Sequence, residues 1–380
     1  MVDGVIKITL DKKGGMKTCF RTGQDRTGQD RTGLPKITRN IYEHMQDELS
    51  KSIYQERLRY TFTGDAIALR RIVDMMDFDT SAIKKIQNCD GKAVIYGAGK
   101  RGTIFFRMYP EIKWDCFIDV GKAGSTVNGL PVIGLDDVKA MPVGSCILIS
   151  NLSNNDEIAR NLVMRGVPKE NIVSTRAMED KLIESQYFDL DALPHDKEEV
   201  FIDGGCFDGF TDRQFIRWAG KNGYKGIYAF EPNPILYGKC QKALSDIDNV
   251  TLIKKGLYSA DGELEFYATD DMNGTLGKNC TNNSIKEKSR KTVVKVTMVD
   301  NVCEFGATFI KMDLEGGEYD ALIGAEKTIR KCHPKLAISI YHKPEDIWEL
   351  PKLILEIDPS YKFYLRHYSL HDAETVLYAV

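Results

Sequence analysis

Asp203, Gly204 and Gly205 close an apolar run, VFIDGG, and Glu231 closes the next, GIYAFEP, with a helical stretch between them. A carboxylate at a strand tip can accept both hydroxyls of a ribose, and the glycine turn lets backbone approach a ligand because glycine has no side chain and tolerates positive φ. Two such tips describe a nucleoside-cofactor site, since ligands of open α/β sheets sit outside the carboxyl ends of the strands. A third apolar run, ATFIKMD, carries Lys311 and Asp313 and leads into Glu315 and Glu318, and a fourth, KLAISIYH, ends in Tyr341 and His342. Asp313 and His342 are the candidate catalytic pair. A histidine at its ordinary pKa near 6.5 is a general base at neutral pH, or else a positioning group. Asp313 and Glu315 could instead hold a divalent cation, or Asp313 could orient the cofactor while Glu315 and Glu318 favour the helix N-terminus that follows. Two carboxylates two residues apart, with no histidine nearby in sequence, make an incomplete metal signature, so no metal is predicted. Lys311 shares the strand face of Asp313 and can pair with a carboxylate or, with Glu315, Tyr341 and Arg366, contact the substrate. Arg366 has a cross-strand pair as its alternative.

These residues need a parallel sheet to bring their tips together. From about residue 197 the chain reads as strands VFID, GIYAFE, VTLIKKG, ELEFYA, VVKVTM, ATFIKMD, KLAISIYH, KFYLRHY and ETVLYAV, the last two forming an antiparallel hairpin. A polar loop near 270–291 separates ELEFYA from VVKVTM and is a candidate wall for an acceptor. Asp208 and Thr211 fit a helix start, and Cys206 is a small packing residue. Residues 91–178 form a smaller Rossmann-like unit. There KAVIYGAGKRG gives a strand and a Gly97–Gly102 turn, and Asp119 ends the next strand where a ribose-binding acid would sit. A lone turn of this kind is weak evidence for a nucleotide, and its glycines can serve packing alone. Ahead of it, residues 41–90 read as helices broken around Thr63-Gly64-Asp65, and 179–196 as a helix end and linker. The RTGQD repeat within residues 1–40 has no period that could bury a face, which predicts disorder there.

Composition narrows the function classes. The 380 residues are 42% hydrophobic and 28% charged with a net charge of -3, which fits two globular domains and gives no general attraction to nucleic acid. Nine cysteines stand singly, without a CxxC pair, so a disulfide framework or structural zinc is not suggested and a reducing cytoplasm is the expected location. No run approaches the roughly 18 apolar residues of a membrane span.

Three segments, VFIDGGCFDGFT, YAFEPNP and FIKMDLEGGEYDALIGA, together resemble the FkbM family of S-adenosylmethionine-dependent methyltransferases. The resemblance covers about 197–380. It implies a class I, Rossmann-like methyltransferase sheet with an antiparallel terminal hairpin, preceded here by the smaller α/β domain and N-terminal helices. It also implies S-adenosylmethionine as cofactor at Asp203, Gly204, Gly205, Glu231 and Asp313, and methyl transfer to a hydroxyl of a sugar, glycan precursor or natural product. Family members commonly carry Asn where this chain has Phe207. Rival readings are a nicotinamide-dependent oxidoreductase or epimerase using Gly97–Gly102, and a non-catalytic scaffold in glycan synthesis.

Overall fold

The computed structural model describes residues 5–10, 16–21, 36–76, 81–151, 154–220, 223–268, 274–276, 290–302 and 306–380. At the N-terminus β1 (Val5–Leu10) pairs antiparallel with β2 (Met16–Arg21). The RTGQD repeat is outside the described residues apart from Arg21. Two compact units follow. One takes residues 55–186 and 367–374, the other 1–54, 187–366 and 375–380. The helical stretch predicted at 41–90 is therefore divided between them. Its break falls where expected: helix Glu48–Thr63 ends, Gly64 adopts φ +67°, and Asp65 caps helix Ala66–Met75 by accepting from the Ile67 N–H.

The first unit is built on strands β3 (Ala93–Tyr96), β4 (Trp114–Ile118), β5 (Thr126–Val127), β6 (Leu130–Ile133), β7 (Cys146–Ile149) and β8 (Ile172–Ser174), in the order β5-β6-β4-β3-β7-β8. All pairs except β5–β6 are parallel. Parallel strands need crossovers, and helices Lys100–Met108 and Asn155–Met164 supply two of them. Val94, Ile118, Ile147, Ile149 and Leu162 pack as one core.

The other unit begins its sheet with β9 (Glu199–Gly204), β10 (Tyr224–Phe230) and β11 (Val250–Ile253). A smaller sheet follows, from β12 (Gly256–Leu257), β13 (Gly262–Ala268), β14 (Gly274–Leu276) and β15 (Arg290–Thr297). The predicted ELEFYA and VVKVTM strands pair antiparallel in it as β13 and β15. Of the 270–291 loop between them only β14, Arg290 and Lys291 are among the described residues. The main sheet is completed by β16 (Phe309–Met312), β17 (Lys335–Ser339), β18 (Phe363–His367) and β19 (Thr375–Ala379), in the order β11-β10-β9-β16-β17-β19-β18.

Strands β11, β10, β9, β16 and β17 are parallel and β19 runs antiparallel to β17. The chain steps outward from β9 to β11, then returns to β16 on the other side of β9. That reversal opens a crevice at the carboxyl ends of β9 and β16. Beneath it, Phe201 stacks on Phe215 with ring centroids 4.3 Å apart, and Phe188, Trp218 and Phe309 close the aromatic core. Helix Phe210–Ala219 is thereby fixed against the sheet. At the far edge, the Arg366 guanidinium lies 2.7 Å from Asp47 and donates to Ser50, whose hydroxyl also receives the Leu365 N–H.

Candidate active site

Every candidate at the crevice is placed by the end of a parallel strand. Register sets Lys311 opposite Asp203 on the adjoining strands β16 and β9. Their charged ends meet at 2.9 Å with 3% and 0% of the side chains exposed, and the same ammonium donates to the Gly205 carbonyl at 2.8 Å. Burial pushes the Asp203 carboxyl up and Lys311 restrains the rise. Of the two readings of Lys311, pairing with a carboxylate is the one the structure shows, and substrate contact is not: its charge is committed to Asp203 and the loop carbonyls. Asp203 is likewise enclosed, and it braces the first loop from beneath.

The glycines have an internal reason as well. Gly205 adopts φ +79°, and a Cβ there would lie 2.1 Å from the Asp313 carbonyl oxygen. The β9 loop and the end of β16 approach so closely that no side chain fits between them. Gly204 accepts the Asp313 N–H at 3.1 Å, which closes the same contact. Two residues past Gly205, Phe207 is left-handed at φ +55°, a region that Asn enters more readily than an aromatic residue, and the residue is 41% exposed.

Glu231 stands past the tip of β10, 5% exposed. Its Oε2 accepts the Phe207 N–H at 3.2 Å and its Oε1 the Asn233 N–H at 2.8 Å. Asn233 then caps helix Pro234–Ala243, with Pro at the first turn, so the short EPNP sequence both fixes the carboxylate and starts the helix. Burial pushes the Glu231 carboxyl up to about 7, against the pull of the two N–H groups and Lys311. An ionised carboxylate offers about four lone-pair sites. Two are used here, and the remaining capacity fits a pair of hydroxyl donors such as those of a ribose.

On the other side of the crevice, Asp313, Glu315, Tyr341 and His342 come together as the sequence suggested. Asp313 accepts the Tyr187 hydroxyl at 2.9 Å and has the Tyr341 hydroxyl 3.5 Å away. His342 Nε2 lies 3.3 Å from Asp313 and 3.7 Å from Glu315, and Nδ1 lies 2.9 Å from Glu318. Burial alone would lower the imidazole pKa, but the carboxylates of Glu318, Asp313 and Glu315 outweigh it and lift the value to about 10. The expectation of a histidine at its ordinary value is therefore corrected. Glu318 starts helix Glu318–Ile323 and accepts the Leu314 N–H at 2.7 Å, as a residue at a helix start should, yet it also faces His342. Arg366 is not brought to this group: it is spent on Asp47 and Ser50.

Sequence reasoning missed Tyr187, which lies in a turn 126 positions from Asp313, and Asp212. Asp212 is fully buried in helix Phe210–Ala219, and burial beside Asp203 raises its carboxyl well above the ordinary range. An acid at an inward position of an amphipathic helix was the available signal.

In the separate 55–186 unit, Asp119 accepts the Ala98 N–H with one oxygen and the Gly121 and Lys122 N–H groups with the other. A Cβ on Gly102 would lie 1.9 Å from the Gly97 carbonyl oxygen, so this glycine serves close packing of turn and helix.

The sheet is an open α/β sheet whose strand order reverses between β9 and β16, with acids at the strand tips on both sides of that point. Residues 203–365 match the methyltransferase FkbM domain family. Among solved structures, the chain is similar to a methyltransferase FkbM from Methylobacillus flagellatus KT, at 20% identity over 85% of this chain and 99% of that one, TM-score 0.47. It is also similar to fibrillarin from Aeropyrum pernix, solved with natively bound S-adenosyl-L-methionine (13% identity, 53% of this chain, 74% of that one, TM-score 0.32). An rRNA methylase from Streptococcus thermophilus matches at 17% identity over 54% of this chain and 93% of that one, TM-score 0.31. No curated protein matches the chain. Among the described residues no helix is long and apolar enough to cross a membrane.

Proposed function

We propose that this domain transfers a methyl group from S-adenosylmethionine to a hydroxyl oxygen of a sugar, glycan precursor or natural product. The observation that carries the reading is the pairing, across one crevice, of a carboxylate with unspent acceptor capacity (Glu231) and a second carboxylate already receiving a tyrosine hydroxyl (Asp313). When bound, the sulfonium cofactor supplies a methyl group activated for in-line displacement by oxygen, with a neutral thioether as leaving group. Glu231 holds the ribose diol, and the Asp203–Lys311 pair keeps the β9 loop in position beneath it. Asp313, with 21% of its side chain exposed against 9% for His342, receives the acceptor hydroxyl and its proton. Tyr187 and Tyr341 orient that carboxylate, and His342 acts as a positioning residue behind it. Acceptor alignment is then the main contribution to rate, because the driving force is carried by the cofactor.

The test is transfer of a labelled methyl group to a panel of sugar and polyketide hydroxyls, with the product O-methyl located by NMR. Asp313→Asn should lower turnover by about 100-fold or more, the usual scale for a lost base. Methyl appearing on nitrogen or carbon acceptors, with none on oxygen, would overturn the reading.

A further inference from the structure

In the acidic group around His342, Glu318 Oε2 is buried without a hydrogen-bond partner. One atom each of Asp313, Glu318 and His342 lie within 4.8 Å of one another. That is the width of one cation's inner shell with bonds up to about 2.4 Å. The 3.3 Å from His342 Nε2 to Asp313 is of the size of a polyhedron edge around a cation, whereas the 2.9 Å to Glu318 is measured from the other ring nitrogen. Both are also short enough for hydrogen bonds. Yet both His342 nitrogens are buried without a directed hydrogen bond, and so is Glu318 Oε2 on a residue with 0% exposure. Buried polar atoms in such a state call for a partner that needs no hydrogen-bond direction, and a metal ion is one.

Local structure aims the three groups inward. Asp313 follows β16 and His342 follows β17, adjacent parallel strands. Glu318 is fixed by accepting the Leu314 N–H, and Glu315, at φ +51°, lies 3.7 Å from His342 at the same mouth. Positive φ on a non-glycine residue is strained, and here it turns the chain so that Glu315 joins the acidic mouth.

We propose that Asp313, Glu318 and His342 hold a divalent cation, with Glu315 beside it, the ion taking the place of a proton that the imidazole releases to solvent on binding. One imidazole with carboxylate oxygens suits a hard to borderline ion such as Mn2+ or Mg2+ better than a thiolate-seeking one. The cation's use rests on the methyl-transfer reading: its remaining positions would take water or acceptor oxygens and make the bound hydroxyl more acidic. Its binding does not depend on that reading.

The experiment is titration of Mn2+ into the full chelator-stripped chain, following loss of the free-ion EPR signal, with S-adenosylmethionine binding measured separately in chelator. One saturable site per chain is expected, weakened 10-fold or more by His342→Gln and by Asp313→Asn, with Asp119→Asn, in the 55–186 unit, unchanged. No saturable site in the wild type, or a site indifferent to both substitutions, overturns the proposal. The wild-type result decides alone if a variant fails to fold. Cofactor binding without a Mn2+ site would sink the cation and leave the methyl-transfer reading intact, whereas a Mn2+ site without cofactor binding supports the cation.

Discussion

Two units of this chain use the same device, a glycine turn after the first strand and an acid at the end of the next, and they spend the acid differently. Asp119 takes three backbone N–H groups from Ala98, Gly121 and Lys122, so its carboxylate is the keystone of its own loops. Glu231 takes two, one on each oxygen, and stands beside the crevice where the strand order reverses between β9 and β16. A strand-tip acid is thus a ligand group only where the local backbone leaves it acceptor capacity. Spacing in the sequence is the same in kind for both.

The difference can be broken or sharpened by mutation. The largest expected effect lies under the cofactor loop: Lys311→Met leaves Asp203 buried without its cation and should cost about 3–5 kcal/mol of stability, read as a fall in chemical-denaturation midpoint. Replacing both, Asp203→Leu with Lys311→Met, should recover most of that loss. A single variant as stable as wild type would show that the pair is not what braces the loop. Next comes pH. Glu231 is raised to about 7 from an ordinary 4.5, so the folded state holds a proton there that the unfolded chain releases. Its contribution to stability is therefore present below about 4.5 and is lost as pH rises to 7. Cofactor affinity should run the other way, since ribose hydroxyls bond the ionised form. It should fall as pH drops through 7, and an affinity flat from pH 6 to 8.5 would contradict the diol role. The smallest effect belongs to the other unit. Asp119→Ala should cost about 1–3 kcal/mol through its orphaned N–H groups and leave S-adenosylmethionine affinity unchanged. NAD titrated into the wild type should show no binding that Asp119 controls.

Much of this was legible in the sequence because apolar runs ending in acids mark parallel strands that are buried on both faces. The strands carrying Asp203, Glu231, Asp313 and His342 follow directly, as does the terminal hairpin. What was not legible depends on neighbours far along the chain. Lys311 could be placed on the face of Asp313, but its partner Asp203 is 108 positions away and is set by strand register. Tyr187 lies in a segment without periodicity, and nothing local marks it as a partner of Asp313. Glu318 was readable as a helix-start acid and is one, yet its second neighbour, His342, belongs to the next strand's end. Arg366 offered a charge near the chain's end, and only the packing of Asp47 and Ser50 on it reveals how that charge is used.

The most direct test of the central claim is calorimetric titration of S-adenosylmethionine into the wild-type chain and into Glu231→Ala. A hydroxyl-to-carboxylate bond network worth about 1.5–3 kcal/mol predicts wild-type binding with one site per chain and at least a 10-fold loss in the variant. Equal affinity in both proteins, or no binding by the wild type, would contradict it.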